Sequence, residues 1–275
     1  MVRVTATAAD VVDAVRAAIP APVRERTVDT FLDGDPATPV TGVAVTMTAT
    51  SDVLRRAAGA GTNLVITHEP LYYDHADAAR TDLEAEADPV YLGKRALVAE
   101  RGLVVWHLHD QWHDVCPDAV DAATAAALGW VLDPGPAAEG LSLATVPPTT
   151  LGDLARHVAA TLGATALRYV GDPQAVVERV GLDLGFRGAA RNRALLRRDD
   201  VDVVVAGEVH EWETGGYAVD AVAAGVSKGL VVVGHVPSEQ AGMAAVADWL
   251  PGVLTAAGIH VPVRFVPTPD TFRTL

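Results

Sequence analysis

The chain has 275 residues, 50% of them hydrophobic, and carries 35 acidic against 21 basic side chains for a net charge of −14. A field of that sign opposes phosphate backbones, which argues against a nucleic-acid partner, and the length suits two domains or one large α/β domain. The lone Cys116 cannot form an intramolecular disulfide, and no apolar run approaches the roughly 20 residues of a membrane span, so a soluble, cytoplasmic protein with no membrane partner is expected.

Ala8, Val11, Val12, Val15 and Ile19 share one face of a helix over 7–19, ended by Pro20 and Pro22. Residues 40–48 alternate Val43, Val45 and Met47 with small polar residues, as a strand does. Ser51 is the expected N-cap of a helix over 52–60, and 63–67 is a second strand, set parallel to the first by the right-handed crossover. The stretch 71–89 reads as a long exposed loop or lid, with Asp74, His75 and Asp77 at its front as polar loop groups or, alternatively, contacts to substrate or metal. A helix over 91–101, a strand ending at Trp106 and a helix over 118–128 follow.

Asp133, Pro134, Gly135 and Pro136 mark a linker at 133–140 between a first α/β half, 1–132, and a second, 141–275, whose last segment is free to return to the first. The second half reads as a helix over 150–162, strands over 166–170 and 180–184, a helix over 189–198 and a strand over 201–206. Its strand-helix-strand order repeats that of 43–67.

Seven of the nine histidines follow, end or lie a few residues beyond an apolar run. The carboxyl ends of parallel strands are where ligands are held, so these side chains face a mouth and not a core. His68 with Glu69, His109 with His113, and His235 with Glu239 give six potential metal ligands, the last two pairs being spaced by one helical turn. Imidazoles and carboxylates without thiolates suit zinc, iron or manganese and not a structural zinc site, and six donors exceed the needs of one catalytic ion.

Two divalent ions about 3.5 to 4 Å apart would activate a shared water and favour a small anionic substrate. Glu208, Glu211 and Glu213 lie at a neighbouring strand end, and Glu211, with Glu208 second, is the expected proton acceptor. His107 reads as an in-strand residue, His157 within a helix and His260 in a closing strand as structural, and Trp112 and Trp212 as packing residues or a stacking platform. The expected fold class is α/β, two similar halves facing each other across a metal-containing cleft.

Ile66-Thr67-His68-Glu69-Pro70, His109 through His113, and Gly234-His235 with Glu239 resemble, in order, the three motifs of the NIF-three-like proteins with a dinuclear metal centre, homologues of type 2 GTP cyclohydrolase I. Glu69 stands where that family has a second histidine, and His113 where it has an aspartate. The paired exchange keeps four imidazoles and two carboxylates, hence the same charge around two ions. The resemblance implies a metal-dependent hydrolase of nucleotides or other phosphate-bearing molecules, GTP cyclohydrolase-like or a phosphoesterase. It also implies a homo-oligomer, a ring-shaped hexamer in the family. A non-catalytic metal-binding scaffold and a metal-storage protein are the competing readings.

Overall fold

The computed structural model describes residues 6–75, 78–134, 140–226 and 228–275. It is a mixed α/β fold in two compact units, one formed by the chain up to Val115 with Met243–Thr268, the other by Cys116–Gly242 with Pro269–Leu275. Among the described residues no helix is long and apolar enough to cross a membrane.

In chain order the first unit has α1 (Ala8–Ala18), β1 (Phe31–Asp33), β2 (Val43–Thr46), α2 (Ser51–Gly59), β3 (Leu64–Thr67), α3 (Ala78–Ala85), α4 (Pro89–Glu100), β4 (Val104–His107) and α5 (Asp110–His113). The second has α6 (Ala119–Ala127), β5 (Ser142–Thr150), α7 (Leu151–Leu162), β6 (Arg168–Val170), β7 (Val176–Asp183), α8 (Ala189–Leu196) and β8 (Val203–Ala206). A π-helical turn (Glu211–Gly215), α9 (Gly216–Ala223) and β9 (Gly229–Val232) complete its order. The long α10 (His235–Ala256) starts in the second unit and, from Met243, belongs to the first, as does β10 (Val263–Phe265).

The first sheet has the order β1-β4-β3-β2-β10, with β10, β2, β3 and β4 mutually parallel and β1 antiparallel. Every residue of β2, β3 and β4 is buried, as strands covered on both faces require of an apolar sequence. Ala44, Val65 and Val105 pack there with Leu54, Leu71, Tyr72, Tyr91 and Val98. The second sheet, β5-β7-β8-β9-β6, repeats the parallel trio as β7, β8 and β9 and differs at its edges, where β5 and β6 are antiparallel.

Two local expectations are corrected. The cap of α2 is Thr50, whose hydroxyl accepts from Val53 N, and not Ser51. The stretch 71–89 is not an exposed loop: Leu71 and Tyr72 are buried, and α3 occupies its second half. Tyr72 Oη donates to Asp33 Oδ2 at 2.5 Å and Lys94 Nζ donates to Leu71 O at 2.6 Å, so the apolar pair enters the core with its polar atoms satisfied. Asp77 lies outside the described residues.

The division also falls elsewhere than at 133–140. Ala125 of α6 and Leu128 belong to the core of the second unit with Val146 and Leu151, and Asp133 N donates to Leu143 O at 2.8 Å, so residues 133–134 lie inside that unit. Residues 135–139 of the expected linker lie outside the described residues.

Candidate metal centre

β3 and β4 are parallel with Thr67 opposite His107, so the residues just past them leave the sheet side by side. His68, fully buried, places Nδ1 3.0 Å from Leu108 O. A carbonyl only accepts, so Nδ1 carries the proton and Nε2 keeps its lone pair. That Nε2 stands 3.1 Å from His113 Nε2. His109 repeats the device: its Nδ1 faces Asp110 Oδ1 at 3.2 Å, which leaves Nε2 as the donor. The ring of His109 lies 4.7 Å from that of His68 and 4.8 Å from that of His113.

The short α5, which carries His113 and is preceded by His109, is held by Asp29. Its carboxylate accepts from His109 N at 2.7 Å and from Asp110 N and Gln111 N at 2.8 Å, satisfying amides that a helix start leaves without intrahelical partners. Asp110 in turn accepts from Thr27 Oγ1 and Val28 N and pairs with Arg24 at 2.9 Å. Gln111 Nε2 donates to Arg16 O and Ala21 O. The apolar part of α5 is Trp112, a packing residue 5.4 Å from Trp249.

One ligand atom from each of His68, His109 and His113 lies within 4.8 Å of the others, and the same is true of Glu69, His75 and His109. Burial, then the neighbouring His68 and His113, hold the His109 pKa far below the usual imidazole value, so the ring is neutral, the form that binds metals. Buried His107 is lowered in the same sense, chiefly by burial. It is no ligand, because its nitrogens face Val28 O at 2.8 Å and His68 O at 2.7 Å. The donor chemistry of the cluster therefore fits a divalent first-row ion: neutral imidazoles oriented by outer partners, converging from two strand ends and one helical turn.

In the second unit β8 and β9 are parallel with Ala206 opposite Val232, and Glu208 and His235 follow them. His235 Nδ1 is 3.4 Å from Glu208 Oε1, and its Nε2 is 3.3 Å from Glu239 Oε2, one turn along α10. Glu239 is buried over Gly185, where a Cβ would overlap its carboxylate. Ser238 Oγ accepts from Gly185 N at 3.1 Å and donates to His235 O at 2.7 Å. Arg187 ties the same turn to α6 through Asp118 and Asp121.

The six expected ligands are thus divided, with His68, Glu69, His109 and His113 in the first unit and His235 and Glu239 in the second. Of the expected proton acceptors, Glu208 stands beside His235. Glu211 is turned to Arg168 of β6, above a groove of about 410 Å³ floored by Val170, Val209, Val219 and Leu230. His75, which the sequence presents as a loop group, stands with Glu69 and His109. Asp29 lies in no motif and is revealed only by its three amide partners. His157 Nε2 donates to Leu128 O at 2.9 Å, a structural role. Trp212 is solvent-exposed, beside His210.

The Duf34/NIF3 family, described as NGG1p interacting factor 3, matches residues 9–271. No curated protein matches the chain in sequence. Among solved structures, protein SA1388 of Staphylococcus aureus superposes with a TM-score of 0.75 at 19% identity, over 98% of this chain and 100% of its own. A Bacillus cereus protein related to NIF3 gives 0.72 at 15% identity, over 98% of each chain. Reduced HcgD from Methanocaldococcus jannaschii gives 0.65 at 12%, over 95% and 98%. At such identities the likeness speaks for the fold.

Proposed function

The chain belongs to the Duf34/NIF3 family, and from that premise we propose that it is a metal-dependent hydrolase of a small anionic substrate, a nucleotide or another phosphate-bearing molecule. The observation that carries the reading is the convergence of His68, His109 and His113, with ligand atoms within 4.8 Å of one another and with His68 and His109 held as Nε2 donors by Leu108 O and Asp110. Glu69 belongs to the same proposal, as do His235 and Glu239, which the motifs add as donors for a second ion. Bound divalent ions supply Lewis acidity and a nucleophile usable at neutral pH.

The protein's own residues orient and move protons. Leu108 O and Asp110 fix the imidazole tautomers, and Asp29 fixes α5 beneath them. Glu208, exposed and 3.4 Å from His235, is the better placed of the two expected proton acceptors, because Glu211 is engaged by Arg168. The homo-oligomer, hexameric in the family, is proposed on the resemblance alone and is read directly from the mass in solution.

The test is metal content after purification without chelators, followed by turnover of a panel of nucleotides and simple phosphoesters. Two equivalents of a divalent ion, reduced in His68→Ala and in Glu239→Gln, with turnover that falls in Glu208→Gln, is the expected result. Bound metal with no turnover on any member of the panel leaves the scaffold reading. Absence of bound metal removes both.

A further inference from the structure

We propose that His75 is a metal ligand: with Glu69 and His109 it forms a two-histidine, one-carboxylate site for a divalent first-row ion, beside the facing nitrogens of His68 and His113. The inference rests on the metal reading above but concerns a residue outside the three motifs. The separation of its donors carries it. His75 Nε2 is 3.6 Å from Glu69 Oε2, too far for a direct hydrogen bond. Two donors each about 2.0 to 2.2 Å from one ion, at tetrahedral to trigonal angles, stand about 3.3 to 3.8 Å apart. All three donors of the set lie within 4.8 Å of one another.

The imidazole is aimed by its surroundings. Its ring meets that of His109 edge-on at 4.9 Å and 64°, and stacks near that of His107 at 5.3 Å and 23°. The backbone leading to it is anchored at successive residues. Lys94 Nζ donates to Leu71 O, Tyr72 Oη donates to Asp33, and the Lys94 ammonium lies 5.0 Å from the centre of the Tyr73 ring. Tyr73 has φ +69°, a conformation that a bulky residue keeps only when its environment demands it. Asp74, immediately before His75, accepts through Oδ2 from Ala79 N at the start of α3. Four tethers and a strained residue place an otherwise half-exposed histidine beside Glu69.

The chemistry is complementary. The set of His68, His109 and His113 has no carboxylate, whereas the set with His75 brings Glu69 and so neutralises part of an ion's charge. His109 has one lone pair, on Nε2, so it closes one set at a time. Assigning it to Glu69 and His75 leaves the pair His68 and His113, nitrogen to nitrogen at 3.1 Å, for the neighbouring ion. Two imidazoles with one carboxylate and open positions suit zinc or ferrous iron.

Cobalt(II) titration of the full chain, followed by absorption spectroscopy and metal analysis, tests this with His75→Ala, His75→Cys and His210→Ala, the last an exposed histidine of the second unit. His75→Ala should lose one equivalent of cobalt or bind it at least about tenfold more weakly. His75→Cys should show a near-ultraviolet thiolate-to-cobalt band beyond any given by wild type, which has only Cys116, and His210→Ala should match wild type. Unchanged stoichiometry and affinity in His75→Ala overturns the inference. So does weakened binding without the new band in His75→Cys, which is what a loop residue acting at a distance gives. A wild-type protein that takes up no cobalt removes the whole metal centre, and His75 with it.

Discussion

Lys94 lies almost wholly out of water, and burial pushes its pKa down from 10.5 to about 8. Between those values the unfolded chain holds a proton that the folded chain has shed, so the contribution of this group to stability rises as pH is raised from 8 to 10.5. The rise is up to about 3 kcal/mol. Urea unfolding of wild type and Lys94→Met across that range should show it as a difference in slope that the variant lacks. Parallel curves would mean that the ammonium is better solvated than its burial implies. Gly185 makes a second point at this scale, since its φ is +62° and a Cβ would overlap the Glu239 carboxylate. Gly185→Ala should lower stability by about 1–3 kcal/mol in thermal melts and displace Glu239. The ligand candidates were legible because the apolar runs 64–66 and 103–106 give way within three residues to His68 and His109, which sets an imidazole at the mouth of each strand. Asp29 was not, because its work is done on amides some eighty positions away, at 109–111.

The element most exposed to a single substitution is α5, four residues that cannot sustain themselves and depend on Asp29 for three hydrogen bonds. Asp29→Ala should cost about 2–4 kcal/mol in denaturant unfolding and weaken metal uptake, whereas Asp29→Asn, which keeps an acceptor, should recover part of both. The runs 64–66, 103–106 and 201–206 were readable as strands from their unbroken apolar character and 43–46 from its alternation, and so was the pairing of 43–46 with 64–67. The edges were legible only in part: β1, β6 and β10 have three residues each, less than two full alternations, and of these 166–170 was expected, together with a closing strand around His260 just before β10. β5 was hidden by Pro147 and Pro148, which break the strand pattern where its pairing with β7 shifts register between Thr145 and Thr149. The burial of Leu71 and Tyr72 was equally hidden, because two apolar residues among polar ones carry no period.

For the molecule as a whole, an ion that binds the folded cluster and not the unfolded chain stabilises the fold by mass action, about 2.7 kcal/mol at a hundredfold excess over its dissociation constant. Melting temperature should therefore climb with zinc or cobalt concentration in wild type and climb less in the doubly substituted His68→Ala, His113→Ala protein, which keeps only Glu69, His75 and His109 of the cluster. A flat wild-type response would deny the cluster any native-state affinity. The break at Val115 and Cys116 left no trace in composition, since neither flank is rich in glycine or proline, while Asp133, at the start of the run that suggested a boundary, is hydrogen-bonded to Leu143 inside the second unit. The first unit is also interrupted in sequence. β2 receives β3 within a few tens of residues, but its other neighbour, β10, is made only after the whole of 116–242. During synthesis, then, the later unit finishes its own sheet while the earlier one still shows the ribosome's surroundings a bare strand edge, the place where a nascent chain is most open to mispairing.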